Sequence, residues 1–178
     1  MKGMMFTELL EFVEAQFGMD TVDEIIDRSG VTGAYTQAGN YPHEEIVQLV
    51  VALGEVSGVA VDELQVVFGR HLFGRIAAIY GDMRDEFTTA TELIARVDNV
   101  IHPNVQKLYP DAKLPTFTEV EHTDEVLVID YLSDRPLAPL AKGLMFGAGD
   151  YYDEEIDVAI ETLPEGSNAR ARFTITRA

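Results

Sequence analysis

Thr116-Phe117-Thr118-Glu119-Val120-Glu121-His122-Thr123-Asp124-Glu125-Val126-Leu127-Val128-Ile129-Asp130-Tyr131 decides the fold. Thr116 to Glu121 alternates in polarity, His122-Thr123-Asp124 has turn chemistry, and Val126 to Tyr131 is rich in branched apolar residues. That pattern predicts a β-hairpin. Pro136 and Pro139 end the second strand.

Upstream the apolar period is helical. Phe6, Leu9, Leu10, Val13 and Phe17 predict a first helix stopped by Gly18. Thr21-Val22-Asp23-Glu24 reads as a capping box opening a short helix to Asp27. Gly30, Gly33 and Gly39 mark a loop, and Asn40-Tyr41-Pro42 starts a helix that ends near Gly58. A further helix is expected from about Val61 to Tyr80, with Leu64, Val67, Phe68, Leu72 and Ile76 inward. Its Gly69 and Gly74 suggest either close approach of something bulky or a bend, since each costs about 1 kcal/mol against alanine. The longest helix is expected from Met83 to Leu108, opened by Asp82 or Asp85 and ended by Pro110.

Downstream, Leu140 to Phe146 reads as a short helix. Ile156 to Leu163 and Ala169 to Thr176 read as two more strands, joined by Pro164-Glu165-Gly166-Ser167-Asn168. Helices first and an antiparallel sheet later make an α+β protein. The expectation is one domain over residues 1–178, with a helical subdomain over about 1–60 and helices plus sheet over 61–178. A ligand cavity is expected between the subdomains.

The 178 residues suffice for a real core, with 47% hydrophobic residues. No apolar run reaches the roughly 18 residues of a membrane span. The first residues lack the pattern of a signal peptide. There are no cysteines, so disulfides, iron–sulfur clusters, thiolate zinc sites and thiol nucleophiles are excluded. A formal charge of −18 repels phosphate backbones, which argues against nucleic acid. A soluble, cytoplasmic protein is expected.

Four histidines need sorting. His43 and His122 read as surface residues. His71, mid-helix beside Arg70, fits either surface or pocket. His102 follows Val100 and Ile101 near a helix end, beside an apolar stripe. A neutral imidazole there can ligate iron through one ring nitrogen while the other holds a hydrogen bond. The ordinary reading is a satisfied core or surface histidine.

Tyr131-Leu132-Ser133-Asp134-Arg135 shifts that balance. On a strand, Tyr131, Ser133 and Arg135 share a face. An arginine fork and two hydroxyls suit a carboxylate, and Leu127 and Ile129 lead into them. The 7 Tyr, 4 Ser and 9 Arg of the chain would give about 0.008 such patterns by chance. Acid pairs such as Glu44-Glu45 and Glu154-Glu155 are adjacent and face apart, so they form no catalytic dyad.

The chain resembles the haem–nitric oxide/oxygen binding domain family, called H-NOX. The resemblance runs over essentially the whole length: the Met-Lys-Gly start, helix-borne His102, Leu114-Pro115, Tyr131-x-Ser133-x-Arg135 and Gly143-Leu144-x-Phe146-Gly147. It implies haem b as cofactor, His102 as axial iron ligand, and Tyr131, Ser133 and Arg135 on the propionates. It implies that Pro115 presses on the porphyrin. Met5, Leu9, Leu72, Ile76, Leu140 and Leu144 are the candidates for the distal wall.

Oxygen-holding members carry a distal tyrosine five residues beyond the arginine of the motif. Here that residue is Leu140, which has no donor. The resemblance therefore implies a sensor for nitric oxide, also binding carbon monoxide, that discriminates against oxygen. Nitric oxide would weaken or break the iron–His102 bond and let the haem relax against Pro115. No kinase or cyclase motif is present, so the output would lie on a histidine kinase or a diguanylate cyclase. The rivals are an oxygen sensor of the same fold and an iron-free module for apolar ligands or protein partners; catalysis is not expected.

Overall fold

The computed structural model describes residues 1–80, 86–164 and 169–177, the Tyr80 side chain excepted. The expected helix start at Asp82 or Asp85 and most of the turn over Glu165–Asn168 lie outside those residues. By its internal contacts the chain divides into two compact units, Met1–Phe68 and Gly69–Ala178. The division falls inside a helix.

The first unit is helical: α1 (Gly3–Phe17), α2 (Met19–Ser29), α3 (His43–Ser57) and the start of α4 (Val61–Tyr80). Phe6, Leu9, Phe12, Val13, Ile25, Leu49 and Leu53 are among its buried apolar residues. The Met-Lys-Gly start has a local physical cause. Gly3 N–H donates to Gly39 O at 2.8 Å, and a Cβ on Gly3 would collide with Thr36 O. Gly18 ends α1 at φ +91°, in the region that favours glycine.

The capping box expected at Thr21 does not form. α2 begins earlier, at Met19, so Thr21 lies inside it and its hydroxyl donates back to Phe17 O at 3.0 Å. Val67, expected inward on α4, is 49% exposed, whereas Phe73 is buried.

The second unit holds the rest of α4, then α5 (Ala90–Ala95), a π-helical turn (Val97–Ile101), α6 (His102–Leu108), β1 (Thr116–His122), β2 (Val126–Leu132), α7 (Ala138–Tyr152), β3 (Ile156–Thr162) and β4 (Arg170–Arg177). The expected single helix up to Leu108 is thus broken into three pieces. Among the described residues it opens at Ala90, where the Thr89 hydroxyl accepts from Glu92 N–H at 3.1 Å. α7 runs further than expected at both ends; it starts earlier because Pro139 sits in its first turn, where a missing N–H costs nothing.

The four strands pair antiparallel in the order β1-β2-β4-β3. Leu127, Ile129 and Tyr131 of β2 and Ala171, Phe173 and Ile175 of β4 alternate into the core. They pack with Phe87, Leu93 and Ile94 from α5 and the segment before it, and with Met145 and Ala148 of α7. The protein is α+β, as the sequence suggests.

Gly69 and Gly147 explain how α4 and α7 meet. A Cβ on Gly69 would strike Leu140 O and approach Gly143 Cα at 3.0 Å. A Cβ on Gly147 would strike Phe73 Cβ and Arg70 O. The bulky neighbour expected at Gly69 is therefore the α7 backbone. Gly74 faces open space and serves no such contact.

Candidate functional site

His102 stands where the π-helical turn passes into α6. Its N–H bonds to Val97 O, five residues back, which is the widened ring of a π-turn. Such a turn holds one extra residue and re-aims the side chains that follow it. The His102 side chain is 14% exposed, and its Nδ1 lies 2.9 Å from Asp98 Oδ1. Burial favours the neutral ring and pushes its pKa down, against the opposing pull of the Asp98 carboxylate. With Nδ1 engaged, Nε2 is the nitrogen left to act as a ligand.

Phe117 of β1 packs beside it, with ring centroids 5.8 Å apart. Phe117 pairs across the hairpin with Tyr131, whose ring centroid is 5.4 Å away. Tyr131 is 3% exposed and also contacts the Phe173 ring at 5.8 Å. Burial pushes the Tyr131 phenol up, outweighing the Ser133 hydrogen bond and the Arg135 charge that pull it down. The phenol is therefore a neutral donor at physiological pH.

Ser133 and Arg135 do not share a strand face with Tyr131, because β2 ends at Leu132. Ser133 Oγ accepts the Arg135 N–H at 3.0 Å, which turns the chain there. The three residues lie on a strand end and a turn instead. Arg135 Nη1 donates to Lys113 O at 3.2 Å, drawing in the segment that leads through Leu114 to Pro115. Thr116 pairs with Leu132, so Pro115 and Ser133 are the next residues at the open end of the hairpin. His102, Pro115, and Tyr131, Ser133 and Arg135 thus come from three stretches of sequence to one end of one hairpin.

Leu72 and Ile76 lie on α4 one and two turns beyond Gly69, where α4 meets α7 at Leu140 and Leu144. Leu72 is fully buried and Leu140 is 8% exposed. His71 is exposed, so the neighbouring Leu72 is the inward residue. Met5, partly buried, and Leu9, buried, belong to the other unit, on α1.

The donor set fits a haem rather than a bare ion. No group of three His, Cys, Asp or Glu that could hold a metal occurs among the described residues. A porphyrin supplies four ligands to iron and needs one from the protein. A partly buried, neutral imidazole is of the kind that could meet that need, and a buried phenol, a hydroxyl and a guanidinium are groups that suit two carboxylates.

Two participants were not visible from composition alone. Asp98 had a usable signal, since an acid four residues before a histidine on a helix shares its face. Phe117 had one too, through the hairpin register that sets it opposite Tyr131.

The haem-NO-binding family pattern matches residues 2–160. The chain is similar over its full length to solved H-NOX structures. One is the H-NOX protein of Shewanella woodyi in the Fe(II)CO state, at 38% identity and TM-score 0.82, covering 95% of that chain. Another is the unliganded Fe(II) protein of K. algicida, at 33% identity and TM-score 0.94, covering 97%. A third is that of S. oneidensis in the Fe(II)NO state, at 27% identity and TM-score 0.89, covering 99%. No curated protein matches the chain. The chain belongs to the haem-NO-binding, or H-NOX, family of haem-based gas sensors. No helix among the described residues is long and apolar enough to cross a membrane.

Proposed function

We propose that this chain is a nitric-oxide sensor that binds haem b through His102, also takes carbon monoxide, and discriminates against oxygen. The single observation that carries the reading is the partly buried His102 with Nδ1 held by Asp98, facing Phe117 at the open end of the hairpin. Bound haem would supply a ferrous iron with one position open to a diatomic gas. Tyr131, Ser133 and Arg135 would hold its propionates and Pro115 would bear on its face. Leu72, Ile76, Leu140 and Leu144 would line the gas side.

Discrimination follows from Leu140. Iron-bound oxygen carries partial negative charge and gains from a donor, whereas nitric oxide and carbon monoxide depend on one far less. Leu140 offers none, and His71, the other candidate donor, is exposed. An oxygen sensor of the same fold therefore has no observation in its favour.

Release of His102 is the signal. A freed His102 would leave the π-helical turn and α6 to relax with Asp98, and the output would pass to a separate cytoplasmic histidine kinase or diguanylate cyclase. Each 1.4 kcal/mol by which gas binding favours one arrangement shifts the populations about tenfold. The chain itself performs no catalysis in this reading.

The test is the absorption spectrum of the reduced protein, supplied with haem, before and after nitric oxide. A haem spectrum that changes to that of a complex without axial histidine supports the reading. A complex that keeps the histidine refutes release as the signal, and no haem spectrum refutes the reading altogether.

A further inference from the structure

Glu154 belongs to the adjacent acid pair that the sequence leaves without a role. It follows Asp153, the one non-glycine residue among those described with positive φ, at 56°. Asp153 ends α7 in the left-handed conformation, and Glu154 N–H then returns to Gly149 O at 2.9 Å. That turn sends the Glu154 carboxylate to the start of α5. Its Oε2 accepts the Ala90 N–H at 3.0 Å, across 64 residues of sequence. Its Oε1 lies 3.8 Å from Arg177 Nη2, which itself donates to Thr91 Oγ1 at 2.9 Å. The carboxylate side chain is 22% exposed, while the neighbouring Glu155 is exposed.

The first N–H groups of a helix have no partner within it. At α5 the local residues cover two donors: Thr89 takes Glu92 N–H, and the Glu92 carboxylate takes Thr88 N–H at 2.9 Å. The Ala90 N–H is left for Glu154. From Ala90 the helical hydrogen bonds continue through Arg96, which bonds to Glu92 O and Leu93 O. They pass to Val100, bonded to Arg96 O, and to His102, bonded to Val97 O. The extra residue of the π-turn can move along this ladder only if one end gives way. Each residue of slip turns the following side chains by about 100° around the axis.

We infer that Glu154 is a positioning residue for His102: by capping Ala90 it fixes the start of α5, and so the rotation at which the π-turn presents the imidazole. Glu154 joins the end of α7 to the histidine-bearing segment without touching the histidine. The inference rests on His102 as the iron ligand.

The experiment uses the full chain loaded with ferrous haem and reads the iron–histidine stretching frequency by resonance Raman, with the rate of histidine release on nitric-oxide addition. Glu154→Ala is expected to lower the frequency and to speed release about tenfold, the scale of losses when an outer partner of a ligand is removed. Glu154→Gln keeps an oxygen for Ala90 and should restore both towards wild type. Thr91→Val removes the Thr91 hydroxyl from Arg177 and from the Thr89 hydroxyl but leaves Glu154 on the Ala90 N–H, and should leave both unchanged. A Glu154→Ala protein that melts lower but keeps the wild-type frequency overturns the inference, because the residue then only stabilises α5. Should Glu154→Ala fail to fold, Glu154→Asp, whose shorter side chain falls short of Ala90, is read the same way. A wild-type protein that shows haem but no iron–histidine band sinks the His102 reading itself, and this inference with it.

Discussion

His102 reaches back to Asp98 with its side chain and to Val97 with its main chain: Nδ1 to Oδ1 is 2.9 Å, and the N–H closes the π-turn on Val97 O. The same short segment therefore fixes the tautomer of the ring and the direction in which it leaves the helix. A proton held on Nδ1 by a carboxylate makes the opposite nitrogen a better donor to a metal.

Asp98→Ala removes that carboxylate. The ring then loses its fixed orientation, and haem should dissociate about ten times faster, since outer partners of a ligating histidine are worth that much or more. Transfer of haem to an apo-globin acceptor measures the rate. An unchanged rate would show that packing against Phe117 alone holds the ring.

Leu140→Tyr tests the gas selectivity. The added hydroxyl supplies a donor, so the reduced variant should hold oxygen in air with a stable spectrum, while the wild type does not. Leu140 is buried where α7 meets α4 at Gly69, so the larger ring should also cost about 1–3 kcal/mol in stability. If the variant folds and still fails to hold oxygen, residue 140 does not face the bound gas.

Two glycines of α4 should respond with opposite signs. Gly69→Ala drives a methyl group into Leu140 O and should destabilise the protein by about 1–3 kcal/mol, because backbone cannot step aside as a side chain can. Gly74→Ala meets nothing within 4 Å and should stabilise by up to about 1 kcal/mol through helix propensity. Thermal melts of the two variants give the comparison.

Asp130 and Arg172 pair across β2 and β4, with Nε to Oδ1 at 2.7 Å and Nη2 to Oδ2 at 2.9 Å. The Arg172 guanidinium holds the Asp130 carboxyl below its ordinary value. A carboxyl depressed in the folded state stabilises above its unfolded pKa of about 3.9, and the benefit is lost as pH falls through the lower folded value. Asp130→Asn should therefore melt below wild type at pH 7, with the gap closing in strong acid. The gap should be small, since both side chains remain about one third exposed to solvent. A gap that stays constant down to the most acidic melt would assign the effect to packing.

Much of this protein is determined by sequence alone. The change from helical period to alternation at Thr116 specifies α+β, because each period lets only one kind of element bury a continuous face. The spacing of His102, Pro115 and Tyr131-x-Ser133-x-Arg135 is local chemistry and is legible as such. What the sequence could not decide is how those parts are aimed. A π-turn has no composition signal, so the break after Ala95 was invisible. The Ser133 N–H still bonds across to Ala169 O at 2.8 Å, but the Ser133 hydroxyl takes the Arg135 N–H and turns the chain there, a local choice that strand periodicity does not show. The cap that Glu154 places on Ala90 spans 64 residues, and the meeting of Gly69 with Leu140 spans more. Contacts of that range leave no periodic trace, because they are set by where packed helices and strands come to rest, and only the tertiary structure fixes that.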